Sequence, residues 1–311
     1  MSLGNILSAK GPNEPIPFIR PEDLELYQTN RDGAFEVQVG VHELLGHGTG
    51  KLLQETSPGT FNFDKSNPPI SPITKKPITT YYKPGETWSS VFSSLSSSYE
   101  ECRAECVAMS LSCDFTILGI FGFPSPNTSD PAELLASKAG DVLYTSYLSM
   151  ARAGVAALEF YNVEAAKWGQ AHMQARFSIL KTFLDAGDDF CKLVTVKKAE
   201  GEGEGLDDLK IHIDRSKILT HGRPAVDAYL QKLHVYKATA DVAEGRKLYG
   251  EMTTPEGTFW TKEVRDLVLK KKVPRKVFVQ PTTFEKDGEV ELREYEPTLE
   301  GLIKSWAERN V

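Results

Sequence analysis

Residues 91–113 read VFSSLSSSYEECRAECVAMSLSC, the most regular stretch of the 311-residue chain. Apolar and small residues recur there at steps of three and four, at Val91, Leu95, Ser98, Cys102, Cys106, Met109 and Cys113. Because an α-helix repeats every 3.6 residues, these steps keep the residues on one face. The pattern predicts one continuous helix from Thr87 to about Cys113, with this face turned towards a core.

Three of the four cysteines lie in this stretch, and the fourth is Cys191. Four cysteines are too few for a disulfide framework in a chain of this length. Their spacing within the helix, Cys-x3-Cys-x6-Cys, fits neither a zinc ribbon nor a zinc knuckle. We therefore expect reduced cysteines that serve as small apolar core residues of a cytoplasmic protein.

Composition and charge are those of an ordinary globular protein. Hydrophobic residues make up 40% of the chain and charged residues 25%, and the length suits one large domain or two smaller ones. The formal charge is −7 without a dense basic run, which argues against nucleic acid as a partner. No apolar run approaches the roughly 20 residues that span a bilayer, so no membrane partner is expected. The N-terminus lacks the features of a signal peptide, and the abrupt end suggests a fragment of a longer protein.

On both sides of the central helix, helical periodicity alternates with pairs of predicted strands. Further helices are predicted at residues 35–54, 131–162, 163–186, 223–250, 256–271 and 299–309. Strands are predicted at residues 190–196 with 210–213, and 276–280 with 290–295. Proline-rich residues 1–30 are expected to form an extended lead-in, and residues 56–86 a long surface loop. This order predicts a mainly α fold with small β hairpins, an α+β class.

The candidate site begins with His42-Glu-Leu-Leu-Gly-His47. In the common zinc-peptidase pattern His-Glu-x-x-His, the histidines are four apart and about 40° from each other around a helix, so both reach one ion. Here they are five apart, which is about 140° on a regular helix. A single wide π-turn absorbs the extra residue, and Gly46, without a Cβ, lies where the helix must deform. The sequence thus predicts two histidines on one metal ion if the helix bulges here.

A third ligand is needed, because a catalytic zinc normally takes three protein ligands and leaves one position for water. Glu101 and Glu105 are four apart on the central helix and share one of its faces. Such a face can turn one carboxylate to the metal and the other to a ligand imidazole. Taken alone, the segment fits an ordinary solvated helix face better, but together with the His-Glu pattern it favours a metal site.

The segments His-Glu-Leu-Leu-Gly-His at 42–47 and Glu-Glu-Cys-Arg-Ala-Glu at 100–105 resemble the two zinc motifs of the dipeptidyl peptidase III family of zinc exopeptidases. Other segments that match this family are residues 61–64, 85–88, 152–154, 157–161, 170–177, 214–218 and 279–281. The resemblance extends from about residue 33 onward. It implies the mostly helical, metal-bearing lobe of a much longer, two-lobed enzyme.

The resemblance implies a metal centre with one Zn²⁺ per chain. His42, His47 and Glu101 match the zinc ligands of the family. Glu100 and Glu105 match carboxylates that hydrogen-bond to the ligand imidazoles. Such carboxylates fix the tautomer of a ligand histidine and raise its basicity.

Three further residues receive roles from the resemblance. Glu43 matches the general base, and His172 matches a histidine that contacts the reacting peptide group. Arg275 matches a basic, substrate-binding residue on the opposite lobe. Residues 31–272 are accordingly expected to form a helical zinc-binding catalytic lobe. Residues 273–311 are expected to belong to the second lobe of the same full-length chain.

The function expected from the resemblance is that of a zinc-dependent dipeptidyl peptidase, which releases N-terminal dipeptides from short peptides. Metal-activated water would attack the peptide bond, with Glu43 as general base. The alternative is a non-catalytic lobe that binds zinc and peptides without cleaving them. A third possibility is a scaffold whose loop at residues 56–86 recruits partners.

Overall fold

The structure is a computed structural model, and it describes residues 15–199, 204–272 and 278–309. The helices in these ranges are α1 (Leu24–Val41), α2 (Trp88–Phe92), α3 (Ser96–Leu111), α4 (Phe115–Ile120), α5 (Pro131–Ala136), α6 (Lys138–Ala156), α7 (Ala171–Leu184), α8 (Arg223–Ala238), α9 (Val242–Thr253), α10 (Arg265–Lys270) and α11 (Leu299–Ala307). π-Helical segments occupy His42–Gly46, Ile218–Gly222 and Phe259–Val264. Short 3-10 turns occupy Pro21–Asp23, Ser93–Leu95, Ala157–Phe160 and Arg215–Lys217.

The strands form separate antiparallel pairs. They are β1 (Glu55–Ser57) with β2 (Thr60–Phe61), β3 (Tyr161–Asn162) with β4 (Lys167–Trp168), β5 (Cys191–Lys197) with β6 (Leu206–Ile213), and β7 (Thr282–Lys286) with β8 (Glu289–Arg293). Within the described ranges, no sheet has more than two strands. The predicted class, mainly α with small β hairpins, is confirmed, and β5 and β6 are the strand pair predicted at residues 190–213.

Helix α3 lies at the centre of the fold and carries the acidic motif. Every residue from Cys102 to Ser110 is buried, so the helix is enclosed on all sides rather than on one face. Helices α1, α7 and α8 pack around it. All four cysteines are free and buried, as the sequence predicts. The side chains of Arg103 and Glu105 are also buried, and charged groups inside a core require close partners.

The first long helix begins and ends earlier than the helix predicted at residues 35–54. Helix α1 starts at Leu24 and gives way to π-helical geometry at His42. The extended lead-in predicted for residues 1–30 is therefore wrong from Pro21 onward, and residues 1–14 lie outside the described ranges. Pro21 opens a 3-10 turn ahead of the helix, where its missing N–H costs nothing. Buried residues continue the helical spacing through this part of the chain, at Tyr27, Ala34, Val37 and Val41.

Four predicted helices are interrupted or shortened in the structure. The helix predicted at residues 87–113 breaks at Ser93, whose φ of 53° is left-handed. The one predicted at 131–162 is divided at Ser137, which caps α6 by accepting from the Gly140 N–H. The one predicted at 223–250 is divided before Asp241, which caps α9. The one predicted at 163–186 begins only after Gln170, behind the β3–β4 hairpin. Serine and aspartate caps compete with helix continuation, which explains two of these breaks.

The second predicted hairpin is displaced along the chain. The sequence predicted strands at residues 276–280 and 290–295, whereas β7 begins at Thr282, so the first predicted strand is wrong. Asp287 and Gly288 have φ values of 54° and 82°, and Lys286 pairs with Glu289 across them. An Asp-Gly pair with positive φ favours a two-residue hairpin turn, and this turn fixes which residues face each other. Residues 276 and 277 lie outside the described ranges.

The chain divides into two compact units, Met1–Lys271 and Lys272–Val311. The first unit contains α1 to α10, and the second contains β7, β8 and α11. The assignment of residues 31–272 to a catalytic lobe, and of residues 273–311 to a second lobe, stays a prediction. In the part of the chain that the structure describes, no helix combines the length and apolar character needed to cross a membrane.

Candidate metal centre

The histidine motif forms a π-turn at the end of α1. The segment His42–Gly46 is π-helical, and the His47 N–H donates to the His42 carbonyl oxygen at 3.0 Å. This bond joins residues five apart, which is the defining step of π-helical geometry. The bulge predicted from the spacing of the two histidines is therefore confirmed.

The π-turn packs directly on helix α3 at Gly46. A Cβ placed on Gly46 would lie 2.8 Å from the Ala104 Cβ and 3.0 Å from the Ala104 carbonyl oxygen. Real side chains do not approach this closely, so the contact requires glycine against alanine. Gly46 thus allows the π-turn to pack closely on α3, in addition to allowing the helix to deform as the sequence suggested. The result is that His42 and His47 face the acidic motif of α3.

His42, His47 and Glu101 converge at this contact. Glu101 Oε2 lies 3.2 Å from His42 Nε2 and 3.5 Å from His47 Nε2. The three candidate ligand atoms all lie within 4.8 Å of one another. Two ligands at ~2.0–2.1 Å from a tetrahedral zinc are about 3.3 Å apart, which agrees with the two measured distances. Elsewhere in the described ranges, no other group of three His, Cys, Asp or Glu side chains has a spacing suited to a metal ion.

Glu101 Oε2 is a buried acceptor with no hydrogen-bond donor among the described residues. A buried carboxylate oxygen without a partner is costly, so such an atom indicates a missing ligand or ion. Contact with His42 is the main cause of a lowered Glu101 pKa, which keeps the carboxylate ionised. Burial lowers the His42 pKa, but Glu101 and Glu105 outweigh it and raise that pKa to about 9. A divalent cation would therefore compete with a proton for the same groups.

Glu105 lies behind His42. Its Oε2 is 3.7 Å from His42 Nδ1 and accepts from Gln38 Nε2 at 2.7 Å. Its Oε1 accepts from Arg176 Nε at 3.0 Å, and Arg176 Nη2 lies at 2.9 Å. Burial raises the Glu105 pKa, but His42, Arg176 and Gln38 outweigh it and lower that pKa to about 2. One buried carboxylate thus joins α1, α3 and α7 and holds the ring of His42.

Glu100 occupies the equivalent position behind His47. Its Oε1 lies 3.3 Å from His47 Nδ1 and accepts from Arg103 Nη2 at 2.6 Å. Its Oε2 accepts from Arg103 Nε at 3.0 Å and from Lys237 Nζ at 2.5 Å. Burial raises the Glu100 pKa, but Arg103 and Lys237 outweigh it and lower that pKa to about 2. Each of the two imidazoles therefore turns Nδ1 to a carboxylate and Nε2 to Glu101.

His172 and Glu43 complete the group at the surface of the site. His172 is at the start of α7, and its Nδ1 lies 3.4 Å from Glu101 Oε2 without a hydrogen bond. Glu43 follows His42 on the π-turn and is exposed, as His47 is. Among the described residues, none forms a hydrogen bond or ion pair with the Glu43 carboxylate. The carboxylate of Glu43, next in the chain to the candidate ligand His42, is therefore open to solvent.

The structure brings six of the eight residues that the sequence singled out into mutual contact. They are His42, His47, Glu100, Glu101, Glu105 and His172. Glu43 follows His42 on the π-turn. The eighth, Arg275, lies outside the described ranges. Sequence reasoning missed Gln38, Arg103, Arg176 and Lys237 as partners of the acidic motif. Arg103 and Arg176 lie within matching segments, whereas nothing in the sequence connects Lys237 with Glu100.

A comparison with protein families identifies the family of this chain. A family model described as peptidase family M49 matches residues 1–310. The chain belongs to peptidase family M49. The resemblance found from the motifs at residues 42–47 and 100–105 is thereby confirmed, because relatives of this M49 chain carry the name dipeptidyl peptidase 3.

Three of these relatives come from Mus musculus, Nematostella vectensis and Dictyostelium discoideum. Dipeptidyl peptidase 3 of Mus musculus is 46% identical over 315 residues, that of Nematostella vectensis 43% over 309, and that of Dictyostelium discoideum 44% over 317. Each match takes in 99% of this M49 chain. The chain spans only 40–42% of the length of these relatives. A solved structure of DPP III from Caldithrix abyssi aligns with a TM-score of 0.47 and 15% identity, over 81% of this chain and 34% of that one.

Proposed function

We propose that the chain carries the metal centre and the general base of a zinc-dependent dipeptidyl peptidase, an aminopeptidase that releases dipeptides from short peptides. The observation that supports this most is the buried, unpartnered Glu101 Oε2 between His42 Nε2 and His47 Nε2. Two imidazoles and one carboxylate are the His₂Glu donor set that catalytic zinc takes in peptidases. Membership of family M49 supports the reaction class.

His42, His47 and Glu101 are the residues that would hold the zinc ion. When bound, zinc supplies Lewis acidity, which lowers the pKa of a water ligand from 15.7 towards about 7 and polarises a carbonyl group. The carboxylates of Glu100 and Glu105 keep Nδ1 of each imidazole occupied, so Nε2 remains available as the ligand atom. The exposure of His47 and Glu43 leaves this side accessible to water and peptide.

Glu43 is proposed to move the proton during hydrolysis. Its carboxylate accepts a proton from the attacking water as the water oxygen bonds to the carbonyl carbon. The same proton then goes to the leaving amine nitrogen as the C–N bond breaks. We propose that His172 donates a hydrogen bond to the carbonyl oxygen as negative charge develops on it. Arg275 keeps its proposed role in substrate binding, on the basis of the resemblance alone.

Zinc titration tests the metal centre. Chelator-treated chain should bind one Zn²⁺, and His42→Ala should abolish tight binding. His221→Ala is the matched control, because His221 is a half-buried histidine paired with Thr220 and Asp188 rather than with Glu101. Unchanged zinc binding in His42→Ala would contradict the proposal.

A second candidate function is favoured by the length of the relatives. Because the chain spans about 40% of them, the lobe by itself is also consistent with a module that binds zinc and peptides without cleavage. Assays with a dipeptidyl-naphthylamide separate the two functions, with the full-length mouse relative as positive control. Release of naphthylamine that requires Glu43 supports the peptidase.

The proposed partners are short peptides and the second lobe of the same full-length chain. We keep the expectation of a cytoplasmic location. The four free, buried thiols support it, because disulfides are rare in that compartment.

A further inference from the structure

Lys237 contacts the metal centre from a helix that carries none of the motifs. It lies in the last turn of α8, and its Nζ is 2.5 Å from Glu100 Oε2. The two side chains are only 11% and 17% exposed. An ion pair with so little solvent around it is less screened and more restricted in geometry than a surface pair.

The other oxygen of Glu100 faces the candidate ligand His47. Glu100 Oε1 lies 3.3 Å from His47 Nδ1, so an unbroken series of contacts runs from Lys237 through Glu100 to the imidazole. Arg103 also binds both oxygens of Glu100. Arg103 lies one turn further on the same helix and also donates to the Gly46 carbonyl oxygen at 2.6 Å, so it connects Glu100 to the π-turn. Lys237 adds a second connection, from Glu100 to helix α8.

The backbone around Lys237 is itself held in place. Its carbonyl oxygen accepts from the Tyr82 hydroxyl at 2.7 Å, and the next carbonyl, of Ala238, accepts from the Leu53 N–H at 2.8 Å. Both partners belong to the segment that follows the π-turn. The end of α8 is therefore fixed against the chain that leaves His47, and Lys237 starts from a defined position.

We infer that Lys237 is a positioning residue of the metal centre. It holds Glu100 so that Oε1 stays on His47 Nδ1 and His47 Nε2 keeps its direction towards Glu101. The inference rests on the proposed metal centre. It assigns to Lys237 an effect on zinc affinity that is transmitted through Glu100, rather than a contact with metal or substrate.

The test is a double-mutant cycle read out as the zinc dissociation constant, measured by chelator competition. Lys237→Met keeps the length of the side chain and should weaken zinc binding about tenfold, at the lower end of the effects of outer-shell residues. Glu100→Gln should weaken it by about 10–100-fold. In the Glu100→Gln background, Lys237→Met should cause no further loss, because its effect passes through that carboxylate. Lys237→Arg, which keeps the charge, should retain most of the affinity.

Lys271→Met is the matched control. Lys271 Nζ lies 2.7 Å from Asp208 Oδ1, and neither residue belongs to the candidate site. The zinc affinity of this variant should equal that of the unaltered chain. Unchanged affinity in Lys237→Met, or a loss that adds fully to that of Glu100→Gln, would overturn the inference. If the unaltered chain binds no zinc, the proposed metal centre is wrong. If it binds zinc and Lys237→Met leaves the affinity unchanged, only the role of Lys237 is wrong. Should Lys237→Met not fold, Lys237→Gln takes its place in the cycle.

Discussion

At the scale of single residues, the carboxylates of Glu101 and Glu43 have different surroundings. Glu101 is enclosed by nitrogen atoms of His42, His47 and His172, at 3.2–3.5 Å from its Oε2. Glu43 is exposed and has no ion pair or hydrogen bond among the described residues. A metal ligand needs fixed geometry, whereas a proton acceptor must be free to meet water. The two neighbourhoods agree with the different roles that we propose for the two carboxylates.

Replacement of Glu43 by alanine should remove turnover and leave the metal in place. General acid–base catalysis contributes about 10²–10⁴-fold, so kcat on a dipeptidyl-naphthylamide should fall by that factor. Zinc content should stay at the level of the unaltered chain, because Glu43 is not one of the three candidate ligands. Glu36→Ala is the control, because Glu36 is an exposed glutamate on α1, the helix that leads into the π-turn. Turnover that survives in Glu43→Ala would remove this residue as the base.

At the scale of elements, the π-turn and α3 form one packed unit. Gly46→Ala should disturb it, because the new Cβ meets both the side chain and the backbone of Ala104. We expect a loss of about 1–3 kcal/mol in the free energy of unfolding, measured by urea denaturation of metal-free protein, and weaker zinc binding. Gly250→Ala is the matched control, since a Cβ at this helical position meets nothing within 4 Å. There, stability should rise or stay constant. Equal effects of the two substitutions would exclude the packing explanation.

Glu105 holds three helices together through one buried carboxylate. Glu105→Ala leaves Arg176, Gln38 and His42 without their shared partner. Removal of one member of a buried charged pair typically costs about 3–5 kcal/mol, and we expect the lower end because Arg176 is partly exposed. Urea unfolding of the metal-free chain measures the loss. Glu105→Gln, which keeps the shape and one acceptor, should lose clearly less; an equal loss would show that charge and hydrogen bonding are not the cause.

The sequence predicts those elements whose cause is local. The five-residue separation of His42 and His47 predicts a π-turn if both histidines bind one ion. The stripe from Val91 to Cys113 predicts a helix, most of which is α3. The shift of β7 has a local cause too, since Asp287-Gly288 is a turn pattern that sequence reasoning overlooked. Elements that depend on tertiary packing are less accessible from sequence.

Contacts across the fold are the part that sequence could not provide. Lys237 and Glu100 are 137 positions apart, and their ion pair exists only because α8 packs against α3. The same holds for the contact between Gly46 and Ala104, which explains why glycine is needed there. Sequence patterns identified the candidate ligands because those residues carry a recognisable spacing. Their supporting residues carry none.

At the scale of the whole molecule, zinc binding and substrate binding are expected to depend on different parts of the full-length protein. All three candidate ligands, and the carboxylates behind them, lie in the unit Met1–Lys271. The chain contains the equivalent of only about 40% of its curated relatives. Binding contacts remote from the reacting bond contribute to the stabilisation of a transition state. Zinc affinity and turnover should therefore respond differently to the missing part.

We expect this chain to bind zinc about as tightly as the full-length mouse relative, but to cleave far more slowly. The three candidate ligands and the two carboxylates behind them all lie within one unit, so the two zinc dissociation constants should agree within about tenfold. Loss of remote substrate contacts and of precise orientation should lower kcat/KM on a dipeptidyl-naphthylamide by about 100-fold or more. Chelator competition and steady-state kinetics on both proteins measure the two quantities. Equal kcat/KM values would show that the lobe alone positions the peptide, and weak zinc binding by the chain alone would show that the centre depends on residues beyond it.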